Sequence, residues 1–234
     1  MMQVYIGYDE RECDAFRIAQ FSLQSRSSIP LNVVPLNSQK LAENGLLRRL
    51  TDKRGQHYDM ASNAPVSTDF AISRFLVPML AQTGWALFVD ADMLFLDDIK
   101  GLLDIADSRY AVMVVKHRHD GSEGTKMDGQ VQTQYPRKNW SSVMLWNCDH
   151  SANKRLSLVD VQERRGFDLH QFYWLHDSEI GELPREWNWL VRVQPKPNHP
   201  KIAHYTLGVP SMPGLENSEH AELWWDEYRK WQST

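Results

Sequence analysis

At 234 residues the chain sits near the upper end of what one hydrophobic core supports, so a single domain with elaborated loops is expected rather than two. A hydrophobic fraction of 42% and a charged fraction of 24% are ordinary for a globular protein, and a net charge of -4 offers no basic field to nucleic acid, which is excluded as a partner. Cys13 and Cys148 are too few for a disulfide framework, the first residues do not read as a leader, and no apolar run reaches the about 18 residues of a membrane-spanning helix. A cytoplasmic setting, with any membrane contact peripheral, is the expectation.

Residues 3–8 read as a buried strand that opens into the polar run Asp9-Glu10-Arg11-Glu12. Those acidic groups suit the first turn of a helix carrying Phe16, Ala19 and Leu23 at helical spacing and ending near Ser27 and Ser28, before Pro30. A short strand over 32–36 follows, and the polar stretch 51–64 has no clear period and is expected to be loop. Ser67 or Thr68 can cap a second helix running through Phe70, Arg74 and Val77, which Pro78 should kink or shorten and Gly84 should end.

Trp85-Ala86-Leu87-Phe88-Val89 is a continuous apolar run, too short for a helix once Gly84 is placed, and predicts a central parallel strand covered on both faces. Asp90 then falls at its carboxyl end, the side on which open α/β sheets bind ligands. Strands are predicted over 110–115 and 143–146, and a helix over 153–165 stopped by Gly166. Between the strands, 117–139 holds Gly121, Gly124 and Gly129 with few apolar residues, and is expected to be a mobile loop that orders over the site on substrate binding; His117 and His119 within it are expected to be solvated.

An irregular segment over 194–200, a short strand over 202–205 and a helix over 216–231 complete the chain. The last helix places Trp224, Tyr228 and Trp231 on one face; packing is expected, because a membrane-surface helix needs more flanking cations than Arg229 and Lys230. The strand-helix-strand order predicts an α/β fold with a mixed, mostly parallel sheet flanked by helices.

Asp90 and Asp92, one residue apart at the mouth of a sheet, suit a divalent cation, because hard oxygen ligands hold Mg²⁺ or Mn²⁺. Such an ion makes an acidic pocket compatible with a diphosphate. The competing reading is a strand end running into a solvated turn.

The pieces Val4-Tyr5-Ile6-Gly7-Tyr8-Asp9, Ser73-Arg74-Phe75, Phe88-Val89-Asp90-Ala91-Asp92, Leu183-Pro184 with Trp187-Asn188, and His204-Tyr205 with Gly208 follow one another through most of the chain. Their order and spacing resemble the retaining glycosyltransferases of family 8, which have the Rossmann-like GT-A fold. The resemblance implies transfer of a hexose from a nucleotide-sugar, first of all a UDP-sugar, to a carbohydrate or other hydroxyl acceptor. It makes 1–115 the nucleotide-binding half and 116–234 the acceptor-binding half. It also implies Mn²⁺, with Mg²⁺ the second choice, on Asp90, Asp92 and His204; an imidazole beside two carboxylates favours Mn²⁺. Gly7, Tyr8 and Asp9 would meet the nucleoside, Arg74 the diphosphate, and Ala91 and Gly208 the remaining donor contacts. For Arg74, an ion pair with a neighbouring Asp is the structural alternative.

The sequence departs from that family in three places. No lysine follows Gly208 up to Pro213, so Lys196, Lys201 or the loop backbone would have to replace the family's diphosphate lysine. The family's Asn-x-Gly corresponds to Trp140-Ser141-Ser142, and its Asp-Gln-Asp element to Asp168-Leu169-His170-Gln171, which would put Gln171 beside the anomeric carbon and leave Asp168 or His170 to orient the acceptor. Two rival readings remain: a haloacid-dehalogenase-type phosphatase, which also carries Asp-x-Asp after an apolar strand, and a catalytically silent carbohydrate-binding protein.

Overall fold

A computed structural model describes residues 1–54, 56–118 and 137–234. In chain order, the elements that build the site are β1 (Met2–Tyr8), α1 (Cys13–Arg26), β2 (Leu31–Asn37), β3 (Trp85–Val89), β4 (Met93–Phe95), β5 (Val112–Val114), β6 (Val143–Asn147), α2 (Gly166–His170), β7 (Ile180–Glu182), β8 (Trp189–Leu190), β9 (Ile202–His204) and α3 (Ala221–Gln232). A six-stranded sheet runs β7-β5-β6-β3-β1-β2. Strands β2, β1 and β3 are parallel, and so are β5 and β7; β6 alone opposes its two neighbours. The expected mixed, mostly parallel α/β architecture is the one observed.

Burial explains why β3 sits at the centre. From Ala86 to Val89 every residue is fully buried, as a continuous apolar run between two covered faces requires. Helix α1 covers one face with Ala15, Ile18, Ala19 and Leu23, and its buried Ser22 hydroxyl accepts a hydrogen bond from the Phe95 amide at 3.1 Å, tying β4 to the helix. The C-terminal helix α3 packs on α1: Trp224 is buried, and the half-buried Arg26 guanidinium grips the Glu227 carboxylate at 2.6 and 2.7 Å. Tyr228 and Trp231 also lie against the core, as expected.

Several local expectations are corrected. Residues 51–64 include short strands, with Thr51–Asp52, Tyr58–Asp59 and Ala64–Pro65 forming a small antiparallel sheet. Arg74 belongs to a 3-10 turn over Ser73–Leu76, and the α-helix begins only at Val77–Ala81. Pro78 therefore stands in a first helical turn, where its missing N–H costs nothing, and introduces no kink.

The helix expected over 153–165 is divided into a 3-10 turn at Ser151–Arg155 and a helix at Leu158–Glu163, separated by a capping box between Ser157 and Asp160. Gly166 opens α2 instead of stopping a helix: a Cβ there would lie 3.0 Å from Ile72 Cδ1. His117 is buried rather than solvated. Residues 119–136 of the expected loop, among them His119, lie outside the described ones. Among the described residues no helix is long and apolar enough to cross a membrane.

Gly7, near the end of β1, shows how closely this frame approaches the site. A Cβ at that position would collide with the Phe70 ring, which in turn lies 5.4 Å under the Arg74 guanidinium. Gly7→Ala is expected to cost about 1–3 kcal/mol, as overpacking does. Urea denaturation should show a lower midpoint at unchanged m-value.

Candidate functional site

The site begins where β3 stops. The Asp90 amide donates to the Ser142 carbonyl at 3.0 Å, which stitches the strand end to the 3-10 turn Trp140–Ser142. After Ala91 the chain enters β4, which pairs antiparallel with β9 so that Met93 faces His204. The Tyr205 amide donates to the Asp92 carbonyl at 3.0 Å, and this register carries His204 beside Asp92 although more than a hundred residues separate them in sequence. Asp90, Asp92 and His204 present ligand atoms that all lie within 4.8 Å of one another. Asp92 and His204 are buried and Asp90 is half-buried.

The imidazole is oriented from behind. His204 Nδ1 bonds Asn188 Oδ1 at 3.0 Å, and the Asn188 amide donates to Ser142 Oγ at 2.8 Å. An amide oxygen only accepts, so Nδ1 carries the proton and Nε2, 3.3 Å from Asp92 Oδ1, is left as the ligand atom. Asn188 reaches this place because β8 runs parallel to β9, pairing Leu190 with His204. The sequence quotes Asn188 only as part of a motif, and nothing in its spacing announces a contact with a histidine of another strand.

Arg74 is buried, and its Nη1 lies 2.8 Å from both Asp90 Oδ1 and the Ser141 carbonyl. Its guanidinium rests 4.9 Å above the Phe88 ring, so planar cation and aromatic face offset part of the desolvation. The ion-pair alternative for Arg74 is thus realised, and it places the arginine at the acid pair.

Asp90, Asp92, His204 and Arg74 line one cavity of about 320 Å³. Ser141, Ser142, Lys138 and His170 share its wall. Lys138, overlooked in the sequence, brings a lysine to this cavity. Lys201 instead pairs with Asp97 and lies 4.9 Å over Trp187, and Lys196 lies over Trp189.

The remaining sequence candidates, Gly7, Tyr8, Asp9, Ala91, Asp168, Gln171 and Gly208, do not line the cavity. Asp9 turns inward: its carboxylate accepts from the Arg11 amide at 3.0 Å, from the Arg11 guanidinium at 3.0 and 2.6 Å, and from the Asp69 amide at 3.0 Å. Burial raises its pKa, but these donors outweigh burial and hold it below the usual carboxylate range. Tyr8 packs edge-on against Phe16. Gly208, at φ +111, closes a turn by donating to the Tyr205 carbonyl at 2.7 Å. Asp168 pairs with Arg165 at 3.0 Å, and the Gln171 carbonyl accepts from Arg137.

Together with Gly166 and Phe167, helix α2 presents His170 to the cavity. Its Nδ1 sits 2.7 Å from Ser141 Oγ, and its ring meets Phe75 edge-on at 5.1 Å. Although one edge reaches the cavity, burial, reinforced by the Arg74 cation and only partly opposed by a hydrogen bond to the Ala71 backbone, pushes its pKa down to about 3.

No protein-family model matches the chain. Protein CDI of Arabidopsis thaliana is 44% identical over 235 residues, an alignment that covers 98% of this chain and 86% of that protein. Among solved structures, the glycosyltransferase GlyE of Streptococcus pneumoniae TIGR4 superimposes with a TM-score of 0.59 at 12% identity over 100% of this chain. The galactosyltransferase LgtC, solved in complex with donor and acceptor sugar analogues, gives 0.58 at 14% identity, covering 98% of this chain and 96% of that one. The bifunctional glycosyltransferase WbbM gives 0.56 at 15% identity over 87% of this chain.

The chain spans only 62% of GlyE and 45% of WbbM. These likenesses establish the GT-A fold. Asp90 follows β3 rather than an early strand, where the phosphatase reading needs its nucleophilic Asp, and it is ion-paired to Arg74.

Because the folded state keeps His170 neutral while an unfolded histidine takes a proton near pH 6.5, its contribution to stability is complete above pH 6.5 and is lost progressively as the pH falls toward 3. Between pH 6.5 and 4.5 the unfolding free energy should drop more steeply in the wild type than in His170→Asn. The difference is at most one proton, about 1.4 kcal/mol per pH unit, read from urea titrations at each pH.

Proposed function

Because the chain belongs to the family of Protein CDI and has the GT-A fold, we propose that it is a metal-dependent glycosyltransferase that moves a sugar from a nucleotide-sugar, a UDP-sugar by preference, to a hydroxyl acceptor. The observation that carries this reading is the convergence of Asp90, Asp92 and His204 at the carboxyl end of the central strand, in the wall of a cavity. The donor set fits a divalent cation. Two carboxylate groups and one imidazole, its tautomer fixed by Asn188, make a mixed oxygen and nitrogen set that suits Mn²⁺ better than Mg²⁺. When bound, the ion neutralises charge on a departing diphosphate.

The chain's own groups do the rest. Arg74 holds Asp90 at a fixed angle through the ion pair and the Ser141 carbonyl, so one ligand carboxylate is oriented before any donor arrives. Lys138 supplies the cavity with the cation that the loop after Gly208 lacks. The nucleoside end is assigned to the end of β1 at Gly7 and Tyr8 and to Asp9 just after it, by the family resemblance; Asp9 anchors Arg11 and the Asp69 amide. Ala91 keeps the chain between the two ligands free of bulk, and the Gly208 turn bounds the site after His204. We assign the nucleotide half to 1–115, the acceptor half to 116–234, and retention of anomeric configuration to the family resemblance. The positions of Asp168 and Gln171, outside the cavity wall, favour His170 as the group of α2 that orients substrate.

A second reading, a protein that binds nucleotide-sugar without turning it over, draws on those same displaced positions. A hydrolysis screen of nucleotide-sugars with and without Mn²⁺ separates the two. Metal-dependent release of nucleoside diphosphate supports transfer, and binding with no turnover supports the silent alternative.

Asp92→Ala should abolish metal-dependent donor turnover while circular dichroism stays native; activity at the wild-type level in that variant would refute the proposal. Asn188→Ala should raise the Mn²⁺ concentration giving half-maximal activity by roughly 10–100-fold, the usual effect of removing the partner that orients a ligand.

A further inference from the structure

Arg137 and Asn139 both stand at φ +63, in the left-handed region, with Lys138 between them. Asparagine tolerates that region better than most residues, but arginine has no such preference, so the turn persists only where its surroundings enforce it.

The enforcement comes from two directions. The Arg137 guanidinium donates to the Gln171 carbonyl just after α2, pairs with Asp177 ahead of β7, and lies 5.4 Å over the Trp140 ring. Trp140 is fixed in turn, its Nε1 donating to the His117 carbonyl at 3.0 Å and its amide to the Arg137 carbonyl at 3.1 Å. From the other direction, the Asn139 carbonyl accepts from the Ser142 hydroxyl at 2.7 Å and from the Asn188 amide at 3.4 Å. Asn188 also orients His204, so the turn is anchored to the network that holds the candidate ligand set.

Lys138 and Asn139 line the cavity together with Asp90, Asp92, Arg74 and His204. Histidines aside, the charged side chains in that lining among the described residues are the acids Glu12, Asp90 and Asp92 and the cations Arg74 and Lys138. Arg74 is committed to Asp90. A divalent ion on the two aspartates offsets their charge but leaves that of an arriving diphosphate, which an ammonium can meet. A lysine is a point charge on a flexible stem, so the backbone that carries it decides where it acts.

We propose that Arg137 is a positioning residue: it holds the left-handed turn that keeps Lys138 in the cavity, and Lys138 is the group that recognises the diphosphate of the donor. The proposal deepens the glycosyltransferase reading and rests on it. Lys138 contacts substrate, whereas Arg137 acts through Lys138. A lysine cannot replace Arg137 in this role, because a planar fork is needed to meet the Gln171 carbonyl, Asp177 and the Trp140 face at once.

Calorimetric titrations of UDP into the Mn²⁺-saturated protein, and of Mn²⁺ alone into the protein, test it. Lys138→Met should weaken UDP roughly tenfold, the loss of one charge-assisted contact, while Mn²⁺ without nucleotide binds within about threefold of wild type. Arg137→Lys, which keeps the charge and loses the fork, should weaken UDP by roughly three- to tenfold. The double variant should bind UDP no more weakly than Lys138→Met, since both changes remove one interaction. Asn139→Val should weaken UDP more than Asn139→Gly, because glycine takes φ +63 without strain and valine does not. UDP affinity in Lys138→Met within about twofold of wild type overturns the recognition role. Additive losses in the double variant, or an Arg137→Lys protein that loses Mn²⁺ and UDP alike, overturn the positioning role. The enzyme class survives each of these results; failure of the wild type to bind UDP in Mn²⁺ overturns the class and this proposal together.

Discussion

The pairing of β4 with β9 is the contact on which the site depends. Asp90 and Asp92 come from a strand end that the first half of the chain builds by itself, but a carboxylate pair alone binds cations weakly and without geometry. The antiparallel register that sets Met93 against His204, closed by the Tyr205 amide on the Asp92 carbonyl, converts a pair into a three-cornered donor set. Because side chains alternate along strands, a slip of one residue would turn His204 to the opposite face. Strand β8, pairing with β9 on its other edge, then delivers Asn188 behind the imidazole, so one small sheet fixes both position and tautomer.

Electrostatics reinforce that frame. Arg74, Asp90, Ser141 and His170 form a continuous chain of buried and half-buried groups: the guanidinium meets the carboxylate and the Ser141 carbonyl, and the Ser141 hydroxyl meets the neutral imidazole. Breaking such a network at one member leaves its neighbour buried and uncompensated, which costs several kcal/mol where an exposed pair costs little. A site in which the charges are mutually arranged before substrate binds has less reorganisation to undergo during reaction.

How much of this was legible in the sequence depended on whether the signal was local. The run 85–89 followed by Asp90-Ala91-Asp92 announced a central strand with acids at its carboxyl end, because burial on both faces leaves an unbroken apolar stretch. His204 was legible only by resemblance, since one histidine on a short strand has no periodic signature. The division of the 153–165 segment was legible too late: Ser157 and Asp160 form a capping box, but the helical spacing around them hid a start within a helix. Gly166 looked like a stop because glycine ends many helices; here it is small to let Ile72 and Ser62 approach. Asn188 reaches the imidazole through strand pairing, which no window of sequence contains. The expected loop over the site falls largely on residues outside those described.

The most direct measurement is to locate the cation itself. Crystals of the protein with Mn²⁺ and UDP, measured above the manganese edge, should show an anomalous peak within coordinating distance of Asp90, Asp92 and Nε2 of His204, with Asn188 still holding Nδ1. A protein saturated with Mn²⁺ whose anomalous peak lies away from these three side chains, or one that binds UDP equally well in a chelator, would contradict the account.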